Sequence, residues 1–406
     1  MAALSLARAS LVPSTTLSGG AQYGVSADAQ FANRLDGLGP ASPGWLFTAG
    51  LDASYEVDLF GRIRRTIEAA KADYQAQQAA EDIARISVAG ETTRAYVNAC
   101  AYAQELAVAQ QSLNVVTQTY DLTVRQARDG AATDFDVARA REAVEQARAT
   151  LPTYVAERQT ALFQLAVLTG RPPEEISQAA AGCSVTPKLA MVLPVGDIQS
   201  LFRRRPDVRQ AERQLAASVA RIGVATADLY PTITLDGSVA SFATKVSGLL
   251  SARNRTYAVG PLLSWSFPNT LVAQAEIHEA RATASAAYAN FQGVVLQALQ
   301  DAETALSAYG NELNRNAALT AAHDQSETAF RLAQDRFRLG SIGYLDLLTA
   351  QADLVNASAA LANSDQTLAS DQVTVFKALG GGWEQAPELQ PLPITDGRSG
   401  KQSKVH

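Results

Sequence analysis

A run of 69 residues, Gly61–Asp129, contains no proline and a single internal glycine, Gly90. Its apolar side chains step by fours and threes: Ile63, Ile67, Ala70 and Tyr74, then Ala79, Ile83 and Ile86. Alanine, glutamine, glutamate and arginine, all good helix formers, dominate the run. One continuous helix of this length would reach roughly 100 Å, about three times the diameter of a small domain. Such a helix does not fit inside a compact globule. Leu271–Leu339 is a second run of the same length and character. The two are expected to be struts of one elongated object.

Hydrophobic residues make up 47% of the 406 residues but aromatic ones only 7%, and alanine supplies much of the difference. Small side chains of this kind let long helices pack closely. A net charge of −6 argues against nucleic acid as a partner. No run approaches the ~20 apolar residues of a membrane helix, whereas a β-barrel leaves only a weak signal per strand. Met1-Ala-Ala-Leu-Ser-Leu-Ala-Arg8 lacks the charged segment and long apolar core of a signal peptide. Cys100 and Cys183 lie far apart without metal-ligand spacing and are expected to be buried free thiols. His278, His323 and His406 are equally isolated, so no metal site, cofactor or catalytic set is expected.

Taken in order, the chain first shows period-two alternation over 14–25, with Leu17, Gly19, Ala21 and Tyr23 on one face and Thr16, Ser18, Gly20 and Gln22 on the other. A polar loop at about 26–45 leads to a second strand at 46–58, where Phe47, Ala49, Leu51, Ala53 and Tyr55 alternate with Thr48, Gly50, Asp52 and Ser54. The first strut follows. Gly130 is expected to end it in a left-handed cap. A return helix over Asp134–Thr169 contains Pro152, which should interrupt and kink it. After Gly170-Arg-Pro-Pro173 and a mixed linker to about Gly196, a helix is expected over Ile198–Leu229, with strands at 232–242 and 256–267. Pro268-Asn269 caps the second strut, the turn Gly340-Ser-Ile-Gly343 reverses it, and a return helix covers Tyr344–Leu379. A polar tail from Glu384 is expected to be mobile.

The second half repeats the first. Pro13-Ser-Thr-Thr-Leu-Ser-Gly19 matches Pro231-Thr-Ile-Thr-Leu-Asp-Gly237. Gly130, Asp136 and Ala140 match Gly340, Asp346 and Ala350 at a constant spacing of 210 residues. The expected fold is mainly α, a duplicated unit with four strands and long helices per chain.

Each strand has close to the ~9–11 residues that a tilted membrane strand needs. Four strands cannot close around a lumen, and lipid tolerates no open sheet edge. A barrel therefore needs several chains: two would give eight strands and a filled interior, three would give twelve and a conduit. Small polar residues on the even faces suit a wet lumen. A soluble two-sheet domain alternates in the same way. Tyr23, Tyr55, Trp265 and Phe267 near strand ends favour the membrane, as an interfacial aromatic belt.

Three motifs carry a resemblance. Arg204-Arg205-Pro206-Asp207-Val208, followed by Ala211-Glu212, Leu215, Ile222-Gly223 and Leu229-Tyr230-Pro231, is the first. Tyr55-Glu-Val-Asp-Leu-Phe-Gly-Arg62 and Lys377-Ala-Leu-Gly-Gly-Gly-Trp383 are the others. Over about residues 8–383 the chain resembles the TolC family of outer-membrane efflux proteins, in the lipoprotein branch that serves resistance–nodulation–division pumps. The resemblance implies a homotrimer in outer-membrane lipid, a twelve-stranded β-barrel continued by a periplasmic α-helical barrel, and an equatorial collar. Its implied partners are a periplasmic adaptor (membrane fusion) protein and an inner-membrane pump. The implied role is a passive exit duct, not an enzyme. The segments assign as barrel strands and loops (12–60, 230–268), helical barrel (61–170, 198–229, 269–379), and linker and tail (171–197, 380–406).

The family's gate lies at the periplasmic tip, with an acidic ring six residues past each hairpin glycine. Asp136 and Asp346 stand there, and like-charge crowding around a narrow opening would raise some of their pKa values and favour bound cations. Helix N-terminal residues favoured by the dipole would look the same. The second acidic position is Thr349 in one repeat and Arg139 in the other. Phe337 and Ile342 replace a tyrosine and an arginine that lock the gate in some members. Arg204 and Asp207 are expected to form an ion pair at a helix N-terminus, where Pro206 suits the first turn. Repeat one has only Met1–Leu11 before its first strand, against about 30 residues in repeat two. The family's export signal, lipid-bearing cysteine and first helix would precede Met1, so the expectation is a start codon placed too late or a sequence that is a fragment. The alternative function is a soluble or peripheral coiled-coil scaffold or adaptor of the cell envelope.

Overall fold

The computed structural model describes residues 2–25, 31, 35, 42–187, 204–265 and 270–381. A short helix α1 (Ala2–Ala9) precedes strands β1 (Ser14–Gly24) and β2 (Gly44–Glu56). Helices α2 (Arg62–Arg128) and α3 (Asp134–Leu168) follow, then a four-residue helix α4 (Gln178–Ala181) within the expected linker. Helix α5 (Pro206–Ala227), strands β3 (Thr232–Ala243) and β4 (Arg255–Ser264), and helices α6 (Thr270–Arg338) and α7 (Tyr344–Ala378) complete the order. The two struts are single helices of 67 and 69 residues. Among the described residues, no helix is apolar enough to cross a membrane. The expected Pro268-Asn269 cap, Phe267, Trp383, the tail and most of the 26–45 loop lie outside the described residues, as do 198–203 of the helix expected from Ile198.

The chain divides into a first unit, Met1–Glu81 with Pro206–Gln297, and a second, Asp82–Arg205 with Ala298–His406. In the first unit the four strands form one antiparallel sheet in the order β1-β2-β3-β4. The buried residues of α5 and the first third of α2 are mainly alanine: Ala211, Ala217 and Ala220 on one, Ala72, Ala76 and Ala79 on the other. Arg213 and Arg221 of α5 donate to Gln75 and Asp73 of α2. The approach is close enough that a Cβ at Gly223 would come within 2.9 Å of Arg65 Cγ. This is why position 223 of the sequence motif is glycine.

The Tyr55–Arg62 motif builds the strand-to-helix junction. Both Asp58 carboxylate oxygens accept from the first turn of α2, at 3.0 Å from the Ile63 and Arg64 N–H groups. Arg62 and Glu56 form a bidentate pair across the same bend.

In the second unit, α2 ends as the glycine argument predicts. Gly130 has φ +76°, its N–H donates to Ala127 O, and the Ala131 N–H donates to Gln126 O. This is the Schellman pattern, in which only glycine avoids a Cβ penalty at the left-handed position. Gly340 repeats it at the end of α6, with φ +69°, its N–H donating to Phe337 O and the Ser341 N–H to Arg336 O.

Two expectations are corrected. Pro152 does not interrupt α3, which runs unbroken over 35 residues. The ring removes one ladder bond, and the flanking turns keep theirs. Cys100 and Cys183 are not free thiols: they form a disulfide, with Cα atoms 5.0 Å apart. The segment after α3 folds back so that Thr186 N–H donates to Gln104 Oε1, one turn along α2 from Cys100. Ala180 of α4 enters an apolar cluster with Ala95, Ala99, Leu162 and Leu165.

The Arg204–Val208 motif is structural. Arg205, buried, donates to Ala298 O and Ala378 O and pairs with Asp301 at 2.9 Å. The motif thus supplies a second ion pair, through Arg205, besides the helix N-terminal pair expected of Arg204 with Asp207. A guanidinium on the last carbonyl of α7 satisfies an orphan acceptor and complements the helix dipole. Pro206 opens α5 and is buried, with Asp207 in its first turn.

Candidate functional site

Two features of the chain have geometry that points beyond folding: a pair of helix turns in the second unit and one face of the sheet in the first.

The turns come from the two repeats. At the first, the sequence Thr133-Asp-Phe-Asp136 is a capping box. The Thr133 N–H donates to Asp136 Oδ2 at 2.9 Å, and the Asp136 N–H donates to Thr133 Oγ1 at 3.3 Å. At the second, Gly343 takes the N-cap place with φ −79°, an ordinary extended value. Glycine has no side chain to give, so only half the box forms: the Gly343 N–H donates to Asp346 Oδ2 at 3.3 Å. Asp136 and Asp346 therefore occupy equivalent N3 positions, half-exposed and exposed respectively. Their local hydrogen bonds are those of helix starts.

Behind the turns sits an apolar cluster of Ala140, Phe330, Phe337, Tyr344 and Leu347. Phe337 is 4% exposed and lies inside this packing, its ring centroid 6.1 Å from that of Tyr344. Thr349 is exposed, and its hydroxyl donates to Leu345 O. Gln126 of α2 donates to Phe337 O, joining the two hairpins.

Charge at the turns follows from these bonds. The Thr133 backbone N–H first, and its hydroxyl second, hold the Asp136 carboxyl below the usual carboxylate range. Burial pushes the Tyr344 hydroxyl up to about 12, Arg139 opposing and the Asp136 charge adding. The Tyr344 oxygen has no hydrogen-bond partner among the described residues. Its burial could have been anticipated from the apolar spacing Phe330–Phe337 at the end of one helix and Tyr344–Leu347 at the start of the next.

Because the folded pKa of Asp136 is lowered, its cap stabilises above the ordinary carboxylate pKa and is lost as pH falls through the lowered value. Thr133→Ala should therefore cost about 1 kcal/mol at neutral pH. Amide hydrogen exchange at the start of α3 should speed up there, and the difference from wild type should shrink in acid, where the Asp136 N–H bond to Thr133 Oγ1 is the part left to lose.

The sheet's odd-numbered face is largely apolar and uncovered, except where residues 246–250 bury Ser241 and Ala243. Leu17 pairs with Leu51, Leu51 with Val239, and Val239 with Tyr257, a single row across all four strands. These four are between 50% and 87% exposed, and Val259 and Leu263 add to the patch. The opposite face aligns Thr16, Asp52, Ser238 and Ala258. At one end of the face Tyr23, Trp45 and Phe47 form an aromatic run with centroids 5.4 and 5.8 Å apart. At the other, Tyr230 stacks on Phe60 at 4.6 Å with Pro231 beginning the turn into β3, and Trp265 Nε1 donates to Leu229 O. Tyr230 thus has a packing role.

Comparison with known proteins agrees with this arrangement. The family model described as outer membrane efflux protein matches residues 1–171 and 198–381. The chain is 31% identical to nodulation protein T of Rhizobium leguminosarum bv. trifolii, over 86% of this chain and 73% of that protein. It is 31% identical to outer membrane protein OprJ of Pseudomonas aeruginosa, over 82% of this chain and 70% of that one. Among solved structures, the outer-membrane channel OprN superposes with a TM-score of 0.87 at 32% identity, covering 94% of this chain and 84% of its own.

Proposed function

Because this chain belongs to the outer membrane efflux protein family, we propose that it is the passive exit duct of a tripartite efflux system. It resides in the outer membrane of a Gram-negative cell, with helices in the periplasm. In the proposed assembly three copies join their sheets into a twelve-stranded barrel, and their helices continue it as a tube. A periplasmic adaptor and an inner-membrane resistance–nodulation–division pump deliver small molecules to it, and the pump supplies the energy.

The observation that carries this reading is the sheet. It leaves a row of large apolar side chains exposed on one face, and β1 and β4 are its edge strands. In water such a face and such edges invite aggregation. In lipid the face is satisfied, and the edges require pairing with neighbouring copies.

Within that assembly, Asp136 and Asp346 from three copies form the acidic ring of the gate. Thr349 lies one turn inward from Asp346, Phe337 backs the turn from within the chain, and Gly130, Gly340 and Gly343 set its bends. The test is single-channel conductance of purified protein in planar lipid bilayers. Asp136→Asn with Asp346→Asn removes the charge while keeping a capping side chain. Cation-over-anion selectivity should fall several-fold with conductance retained. Unchanged selectivity removes both residues from the gate, and absence of any wild-type conductance removes the duct.

A further inference from the structure

A cavity of 460 Å³ lies within the second unit, between α2, α3 and α7. Its volume is in the range of small-molecule sites, about 300–1,000 Å³. Val108, Leu348 and Val355 line it, and so do Glu105 and Gln351. Those two polar side chains are 6% and 2% exposed, and each has an Oε1 atom without a hydrogen-bond partner among the described residues. A buried acceptor left unpaired costs about 1–3 kcal/mol, more for a charged group. Two of them facing one cavity, from different helices, form a site that lacks a donor.

The charged and titratable neighbours do not supply one. Of the lining groups, Arg139, Glu142 and Tyr154 come from α3, and α7 adds no charged residue. The Arg139 guanidinium lies over the Phe135 ring at 5.8 Å. Glu142 accepts from Gln146. Burial alone pushes the Glu105 carboxyl up to about 7, and no neighbouring cation draws it back. Tyr154 is pushed up by burial first and by the Glu105 charge second.

We propose that this cavity binds an organic amine, its ammonium donating to Glu105 and Gln351 and its apolar body lying along Val108, Leu348 and Val355. An ammonium supplies several donors and the positive charge that an ionised, desolvated carboxylate needs. A neutral ligand supplies the donors without the charge. The site goes beyond the duct reading and is measured separately, as binding rather than conduction.

The test uses the full chain in detergent, 1-naphthylmethylamine as the probe, and its neutral isostere 1-naphthylmethanol, with affinity read by calorimetry at pH 8. The amine should bind at least about tenfold more tightly than the alcohol, the scale of one charge-assisted hydrogen bond. Glu105→Gln, nearly isosteric, should erase that preference, and Val355→Trp should block both ligands by filling the cavity. Thermal melting confirms that each variant folds. Lowering the pH to 5 should weaken the amine, which stays cationic while the carboxyl takes up its proton. Equal affinity for the two probes overturns the proposal. So does amine binding that survives both substitutions, or no binding at all, which would mean that water or a neighbouring copy fills the space.

Discussion

Replacing Cys100 and Cys183 together by serine should lower the stability of the second unit by about 4.5 kcal/mol, the chain-entropy value for a closure of this length. The crosslink spans 83 residues of sequence, including the far end of α2, the whole of α3 and the segment that folds back over them. Without it, that segment is held by the Thr186–Gln104 bond, by Ala180 in its apolar cluster, and by Arg158 donating to Ala181 O. These contacts are local and partly exposed. The unfolded chain regains its full freedom when the covalent tie is gone. Denaturant titration of wild type, with and without reductant, and of the double variant should show the loss. Coincident midpoints would mean that the bond contributes nothing. A disulfide of this kind persists in the oxidising periplasm and suits a chain whose helices reside there.

That bond also marks where sequence reading stopped. One cysteine lies in mid-helix and the other in a linker of mixed composition, 83 residues on. No periodicity relates a helix to a linker that folds back across it. The usable signal was combinational: two cysteines, an even number, in a chain that resembles exported proteins. Long-range pairing of this sort depends on tertiary path rather than local pattern. The helices and strands were different. Their periods of 3.6 and 2 are written residue by residue, so the two struts and four strands fall where the pattern places them. The strand register then follows, because one face must remain apolar across Leu17, Leu51, Val239 and Tyr257.

The site divides along the same line. Gly130 and Gly340 were legible because a left-handed cap admits few residues, and both adopt it. The arginine motif was visible, yet which arginine does the work was not. Arg205 reaches Ala298, Asp301 and Ala378, all more than 90 residues away in sequence. Asp136 and Asp346 were picked by position relative to the glycines. The chain shows them as equivalent capping residues, and the proposed ring of carboxylates needs several copies. Glu105 and Gln351 gave no sequence signal, since a glutamate and a glutamine on alanine-rich helices read as solvated until burial is known.

Leu51→Arg combined with Val239→Arg should separate the membrane duct from the soluble scaffold, because the two predict effects of opposite sign. Leu51 and Val239 are paired neighbours near the middle of β2 and β3, each half-exposed on the apolar face. If that face meets lipid, each arginine sits near the bilayer midplane and costs about 2–4 kcal/mol. Together they would remove most of a typical folding free energy of about 5–15 kcal/mol. Insertion into lipid vesicles, read as a heat-modifiable band on gels, should be abolished. If the face meets water, the same change replaces exposed apolar surface by charge. The protein should then become more soluble, with its stability nearly unchanged. Ser238→Arg is the control. It lies one residue along β3 on the opposite face, in the row with Asp52. A lumen filled with water should accept it, so insertion should survive and only conductance should change. Loss of insertion in the double variant, with retention in the control, requires the odd face in lipid and the even face in water. No packing of the sheet as a soluble domain produces that pair of outcomes.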